Sequence, residues 1–272
     1  MKKKSLIALA VAGALAAPTL GVAAEHDVQI YGKIHLSIDA YQNARVNNDA
    51  SDPPKDSGVG VSSNSSRLGF KGTHKMEKLP TLIWQYESQI DIDDGGGSLA
   101  NRNTFVGFKG GWGKVIAGNH DTPMKRALTK WDPFNETVGE GRAVFGQPGG
   151  TGSTDFNVRA KNSVMYWSPS FAGFKIVAQY SADTEAGSEG DNNDFALYDI
   201  GFEFATKDKK WQAWGAYENQ DGFGPNNNES ASGWRLSGKG KIGPVGVGLL
   251  FEQTDDPDPA VGKRDGAGAW VT

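Results

Sequence analysis

Residues 28–41 read VQIYGKIHLSIDAY. Val28, Ile30, Ile34, Leu36 and Ile38 fall on one parity, and Gln29, Tyr31, Lys33, His35, Ser37 and Asp39 fall on the other. Alternation with a period of two marks a strand with one face in an apolar medium and the other in water. The fold turns on which face looks inward.

The same pattern recurs down the chain. In SRLGFKGT, Leu68 and Phe70 share a face opposite Arg67, Lys71 and Thr73. In FKIVAQY, Phe174, Ile176, Ala178 and Tyr180 oppose Lys175 and Gln179. Ile200, Phe202 and Phe204 oppose Asp199 and Glu203, and Trp234 and Leu236 oppose Arg235, Ser237 and Lys239. Val245, Val247, Leu249 and Phe251 form one more apolar row. Helical signals are almost absent after the N-terminus, so no layer of helices is expected to cover these apolar rows. Turning them outward into lipid, with ionisable groups lining water, resolves the conflict.

The connections support that orientation. Strands are expected near 28–41, 65–75, 81–91, 101–109, 114–118, 163–168, 174–182, 194–205, 211–219, 232–241, 245–253 and from 267 onward. Every second connection is short: MEKLP, GGWG, PSFAG, TKDKK and GPV. The others are long and hydrophilic, the longest covering 119–162. Sorting by parity is the habit of outer-membrane barrels, with tight periplasmic turns and longer extracellular loops; a β-sandwich has no such requirement.

Composition narrows the class. The N-terminus carries Lys2, Lys3 and Lys4, then an apolar run over 6–15, then Val22-Ala23-Ala24. This is the three-part pattern of a secretory signal peptide over 1–24, leaving Glu25 as the first mature residue. The chain has 272 residues, 37 glycines, 8 tryptophans, no cysteine and a net charge of −4. Absence of cysteine rules out disulfides and thiolate chemistry, and the mild charge gives no reason to expect a nucleic-acid partner. DIDDGGGS (91–98) has clustered carboxylates but carries Arg102 where a calcium loop needs its twelfth-position glutamate. Four histidines lack zinc spacing. No G-x-S-x-G elbow or phosphate-cradling loop occurs, so neither an enzyme nor a cofactor or metal site is expected.

Several segments also match a family. YGKIHLSIDAY, SSRLGFKGTHKM, LIWQYESQIDIDDGG, NRNTFVGFKGGWGKVIAGNHDTP and KNSVMYWSPSFAGFKIVAQYS resemble, in the same order, the general (non-specific) porins of Gram-negative bacteria. The resemblance implies an all-β transmembrane antiparallel barrel, sixteen-stranded when complete and trimeric, in outer-membrane lipid, passing small hydrophilic solutes and ions. It implies a porin barrel over 25–272, with 119–162 as a loop folded inward to constrict it. Lys33, Arg67, Arg102 and Arg159 match the basic wall of such a constriction. DPFNETVGE resembles its acidic loop, making Asp132, Glu136 and Glu140 the facing carboxylates, although the Pro-Glu-Phe-Gly-Gly core of enterobacterial members is missing.

About twelve strands are represented, and family members end on a strand closed by an aromatic residue. The ending GAGAWVT is therefore read as an incomplete barrel lacking about four C-terminal strands. Two other functions compete with a diffusion channel. One is a secreted β-sandwich carbohydrate-binding module, which would be soluble without detergent. The other is an outer-membrane hydrolase, which needs a Ser-His-Asx set that does not emerge.

Overall fold

The computed structural model describes residues 26–41, 58–137, 139–146, 154–182, 196–223, 229–259 and 261–272. The expected signal segment lies outside them, as do 42–57 of the first long connection.

One antiparallel sheet dominates. Its strands are β1 (His26–Lys33), β4 (Arg67–His74), β5 (Thr81–Asp91), β7 (Thr104–Gly110), β8 (Gly113–Asp121), β9 (Arg159–Trp167), β10 (Phe174–Ser181), β11 (Leu197–Ala205), β12 (Trp211–Phe223), β13 (Glu229–Ile242), β14 (Val245–Asp255) and β15 (Lys263–Val271), each paired with the next. The short β6 (Gly96–Ser98) pairs with β5. β2 (Leu36–Tyr41) and β3 (Gly58–Ser63) pair with each other and prolong β1 and β4 past a break. At that break Ser66 Oγ accepts from the His35 N–H at 3.0 Å and donates to the His35 carbonyl oxygen at 3.2 Å. The hydroxyl thereby satisfies backbone groups that the interrupted ladder leaves over.

The faces follow the parity of the sequence. Val28, Ile30, Ile34, Leu36, Ile38, Leu68, Phe174, Ile176, Ile200, Leu236, Leu249 and Phe251 are all exposed. Their alternates Gln179, Asp199, Glu218, Arg235, Ser237 and Glu252 are buried. A water-soluble sheet would be arranged the other way. The short connections join β4 to β5, β7 to β8, β9 to β10, β11 to β12 and β13 to β14, so all five lie at one end of the sheet.

Several expectations need correction. Residues 58–63, expected in a loop, form β3. β9 reaches back to Arg159, β13 begins at Glu229 and β15 at Lys263. Tyr31, on the polar parity of β1, donates inward to Glu87 Oε2 at 2.8 Å.

The main omission is a helix. α1 (Pro123–Trp131) follows β8 inside the long connection, with a 3-10 turn at Gly141–Ala143. Thr122 caps it by accepting from the Lys125 N–H at 3.2 Å, and Pro123 occupies the first turn. Both are start signals. Met124, Ala127, Leu128 and Trp131 recur at helical spacing and are buried. They pack on the inner side of the sheet, Met124 with Phe156, Ala216 and Ala231, and Leu128 and Trp131 with Leu250. Burying each large side chain contributes roughly 1.5–3 kcal/mol.

The inner face is also not uniformly polar. Ile83, Ile116, Met165, Trp167 and Val177 form a buried apolar cluster on it, joined by Phe105. The run VMYW supplies apolar residues to both faces of β9, which breaks simple alternation.

Candidate functional site: a charged cavity beside the inward loop

The long connection leaves β8, runs as α1 along β11–β14, and then crosses to the opposite margin of the sheet. Leu128 packs on Leu250 of β14, whereas Glu136 reaches Lys33 of β1 and Arg67 of β4. One short segment can touch strands so far apart in the sheet only because the sheet curls round it.

Wall side chains hold the loop by its backbone. Asp199 Oδ2 accepts from the Met124 N–H at 2.7 Å, and Arg235 Nη1 donates to the Met124 carbonyl oxygen at 2.6 Å. Ser237 Oγ donates to the Ala127 carbonyl oxygen at 2.6 Å, and Trp270 Nε1 to that of Trp131 at 3.1 Å. Farther along, Glu252 Oε1 accepts from the Gly146 N–H and Asp256 Oδ2 from the Thr154 N–H, each at 2.8 Å. Gly146 has φ +69°, and a Cβ there would lie 2.5 Å from Arg235 Nη2, so close approach to the wall requires glycine.

Between loop and wall lies a cavity of about 500 Å³. Its ionisable lining comprises Arg67, Glu87, Arg102, Asp121, Lys125, Arg126, Lys130, Glu136, Arg142 and Arg159. Seven of these are cations and three are carboxylates, a net of four positive charges.

Each carboxylate is held by cations. Glu136 Oε2 lies 2.6 Å from Lys33 Nζ, and its Oε1 lies 2.6 Å from Arg67 Nη1 and 3.5 Å from Arg102 Nη2. Burial alone would raise the Glu136 carboxyl, but hydrogen bonds from Lys33 and Arg67 together with their charges outweigh it and hold it below the ordinary glutamate range. Glu136 also has φ +64°, so its backbone is in the left-handed region while its side chain points at the wall. Glu87 accepts from Arg102 Nε at 2.8 Å and lies 3.9 Å from Arg67 Nε. Asp121 Oδ1 lies 2.9 Å from Arg159 Nη2 and 3.1 Å from Lys125 Nζ. Burial lowers the Lys125 ammonium, with Asp121 opposing.

Lys33, Arg67 and Arg102 thus converge on one loop carboxylate, Glu136. Arg159 sits with Asp121 and also donates from Nε to Asn103 Oδ1 at 2.9 Å. The other two loop acids do different work. Asp132 is buried and absent from the cavity lining; its Oδ1 accepts from Phe134 N–H at 2.8 Å and its Oδ2 from Gly141 N–H at 2.7 Å, closing the loop on itself. Glu140 precedes the 3-10 turn, pairs with Arg142 Nη2 at 2.6 Å and accepts from the Glu136 N–H at 3.3 Å.

Sequence reasoning missed Glu87 and Asp121 on the wall and Lys125, Arg126, Lys130 and Arg142 on the loop. Parity in LIWQYESQID would have placed Glu87 beside Gln85 and Gln89 on the polar face. The loop cations were hidden because α1 was not recognised. Once TPMKRALTKW is helical, Lys125, Arg126, Thr129 and Lys130 stand opposite its apolar stripe.

A sheet apolar outside and ionised inside, with a loop packed across its interior, is the construction of a transmembrane β-barrel. The profile of the Gram-negative porin family matches residues 5–272. The chain is 33% identical over 187 residues to the major outer membrane protein P.IB of Neisseria sicca, covering 69% of this chain and 49% of that protein. It is 29% identical over 218 residues to P.IB of Neisseria meningitidis serogroup B, covering 79% and 59%. The chain therefore spans about half to three-fifths of the length of these relatives. Among solved structures, the anion-selective porin from Comamonas acidovorans aligns with TM-score 0.57 at 20% identity, over 91% of this chain and 84% of that one. The loop L8 deletion mutant of OmpT from Vibrio cholerae aligns with TM-score 0.59 at 15% identity, over 90% and 75%. Those two likenesses concern the fold. This chain belongs to the Gram-negative porin family, and its place is the outer membrane.

Proposed function

We propose that this protein forms a water-filled channel for passive diffusion of small hydrophilic solutes and ions across the outer membrane, and that it prefers anions. The supporting observation is the cavity of about 500 Å³ beside the loop, with seven cations against three carboxylates. Opposed charges across a narrow opening with low-dielectric walls create a transverse field that orients dipolar solutes, and the positive excess raises the local concentration of anions. Membership of the porin family supports the channel, and the likeness in fold to a porin described as anion-selective agrees with the sign.

In this reading the long connection over 119–162 is the constriction element. Lys33, Arg67, Arg102 and Arg159 form its basic wall and Glu136 is the acid that faces it. Asp132 and Glu140 shape the loop. Diffusion needs no chemical step, so no catalytic role is assigned. A homotrimer is the proposed assembly. Planar-bilayer recording under a salt gradient tests both ideas. Conductance in groups of three steps, with a reversal potential of anion-preferring sign, is expected; absence of discrete channels or a cation-preferring sign would overturn the proposal.

A further inference from the structure

A second cavity, about 400 Å³, lies at the short-turn end of the interior, beside the turns at Gly110–Gly113 and 168–170. Lys114, Lys175, Arg126, Glu203 and Trp167 line it. Lys114 of β8 holds its Nζ 3.3 Å from the centroid of the Trp167 ring, which fixes the ammonium at the rim. Lys175 of β10 is exposed. Among the described residues, neither lysine has a carboxylate within ion-pair distance. Glu203, the carboxylate of this cavity, accepts from Arg126 Nε of α1 at 3.2 Å. The cavity therefore carries three cations against one carboxylate, which Arg126 engages directly, and neither lysine has a direct ion pair among the described residues.

Arg126 also lines the larger cavity. A single guanidinium thus borders both spaces. Arg126 is therefore shared by the first cavity and the space that Lys114 and Lys175 line. Two ammonium groups suit a compact oxyanion with two charges better than a monovalent ion, because each negative charge meets a cation that has no direct ion pair.

We propose that this second cavity is a binding site for a small divalent oxyanion of the phosphate type, on the periplasmic side of the constriction. The assignment of sides rests on the channel reading above, since short turns face the periplasm in outer-membrane barrels.

The test uses the detergent-solubilised full protein and inorganic phosphate, titrated calorimetrically at low salt and neutral pH. Arg67→Ala/Arg102→Ala is introduced first to weaken the larger cavity. In that background, adding Lys114→Gln/Lys175→Gln should weaken phosphate binding at least about tenfold, equivalent to roughly 1.4 kcal/mol. Lys114→Arg/Lys175→Arg should restore it, which shows that a charge is missing rather than a fold. Unchanged affinity in the glutamine variant, or no recovery in the arginine variant, would overturn the proposal. In bilayers, phosphate added on the short-turn side should reduce chloride current in the parent and do so less in the glutamine variant. Phosphate binding that needs both lysines in a protein that conducts nothing would leave the site standing and remove the channel.

Discussion

Arg235 Nη1 donates to the Met124 carbonyl oxygen at 2.6 Å, joining the middle of β13 to the first turn of α1. The same guanidinium binds Glu252 Oε2 through Nε at 2.8 Å and Nη2 at 2.6 Å, and Glu252 Oε1 in turn receives the Gly146 N–H. One ion pair therefore grips the inward loop at both Met124 and Gly146. Arg235 is 1% exposed and Glu252 8%. Removing one member of such a pair leaves a buried charge uncompensated and costs about 3–5 kcal/mol. Arg235→Ala is expected to undock the loop and expose Lys125, Arg126 and Lys130 to trypsin, while Arg235→Ala with Glu252→Gln regains part of the protection. Limited proteolysis followed by mass spectrometry checks this; an equally protected loop in the single variant would contradict it.

Glu136 is the loop carboxylate that meets the wall cations, and its carboxyl is held below the ordinary glutamate range. A depressed carboxyl contributes stability above the unfolded value of about 4.3 and loses it as pH falls through the lower folded value. Loop docking should thus be unaffected between pH 7 and pH 5 and weaken below about pH 4, in the window where Glu136 takes up its proton. Glu136→Gln should flatten that acid dependence and increase anion preference at neutral pH, since one of three cavity carboxylates is neutralised. Reversal potentials measured across a pH series distinguish the two proteins.

Arg67 and Arg102 share both Glu136 and Glu87. Replacing both arginines with alanine should widen the passage and move the reversal potential toward cations, because two guanidinium charges leave, Glu87 loses its cations and Glu136 keeps only Lys33. Conductance should rise and anion preference should fall together. An unaltered reversal potential would remove these residues from the constriction.

Leu249 stands on the outward face of β14, 56% exposed, beside the buried Leu250 that meets α1. Leu249→Arg should destabilise the barrel by roughly 2–4 kcal/mol if the position sits near the bilayer midplane. Urea unfolding in lipid vesicles reads this, and Gln253→Arg near the long-loop end of the same strand should cost less. A neutral Leu249→Arg would place that face away from hydrocarbon.

Strand positions and faces were legible because a period-two pattern survives wherever each side chain meets one of two solvents, as at Lys33 against Ile34 or Ser237 against Leu236. Extensions such as β3 and the first residues of β9 were not. GVGVSS carries too little polar contrast to distinguish a strand from a glycine-rich loop, and RAKN gives no alternation to read. The helix was written in the sequence as Thr122-Pro123 followed by Met124, Ala127, Leu128 and Trp131, but it lies inside a long polar connection where strand logic gives no reason to look for one. The site was half visible for the same reason. Lys33 and Arg67 follow from parity, but Arg102 precedes β7 and shares the parity of the exposed Phe108, so alternation does not turn it inward. The direction of Asp132 depends on backbone amides at Phe134 and Gly141 that no spacing rule reveals.

Thr129 of α1 lines the larger cavity among Lys125, Arg126 and Lys130, and the protein has no cysteine of its own. Single-channel current of a Thr129→Cys variant, recorded while an anionic thiosulfonate reagent is added from the aqueous side, therefore interrogates the conducting path directly. The expected result is a stepwise fall in chloride current and a shift toward cations as each channel is modified. Open channels whose current and selectivity ignore the reagent would contradict a route past the cationic face of the loop helix.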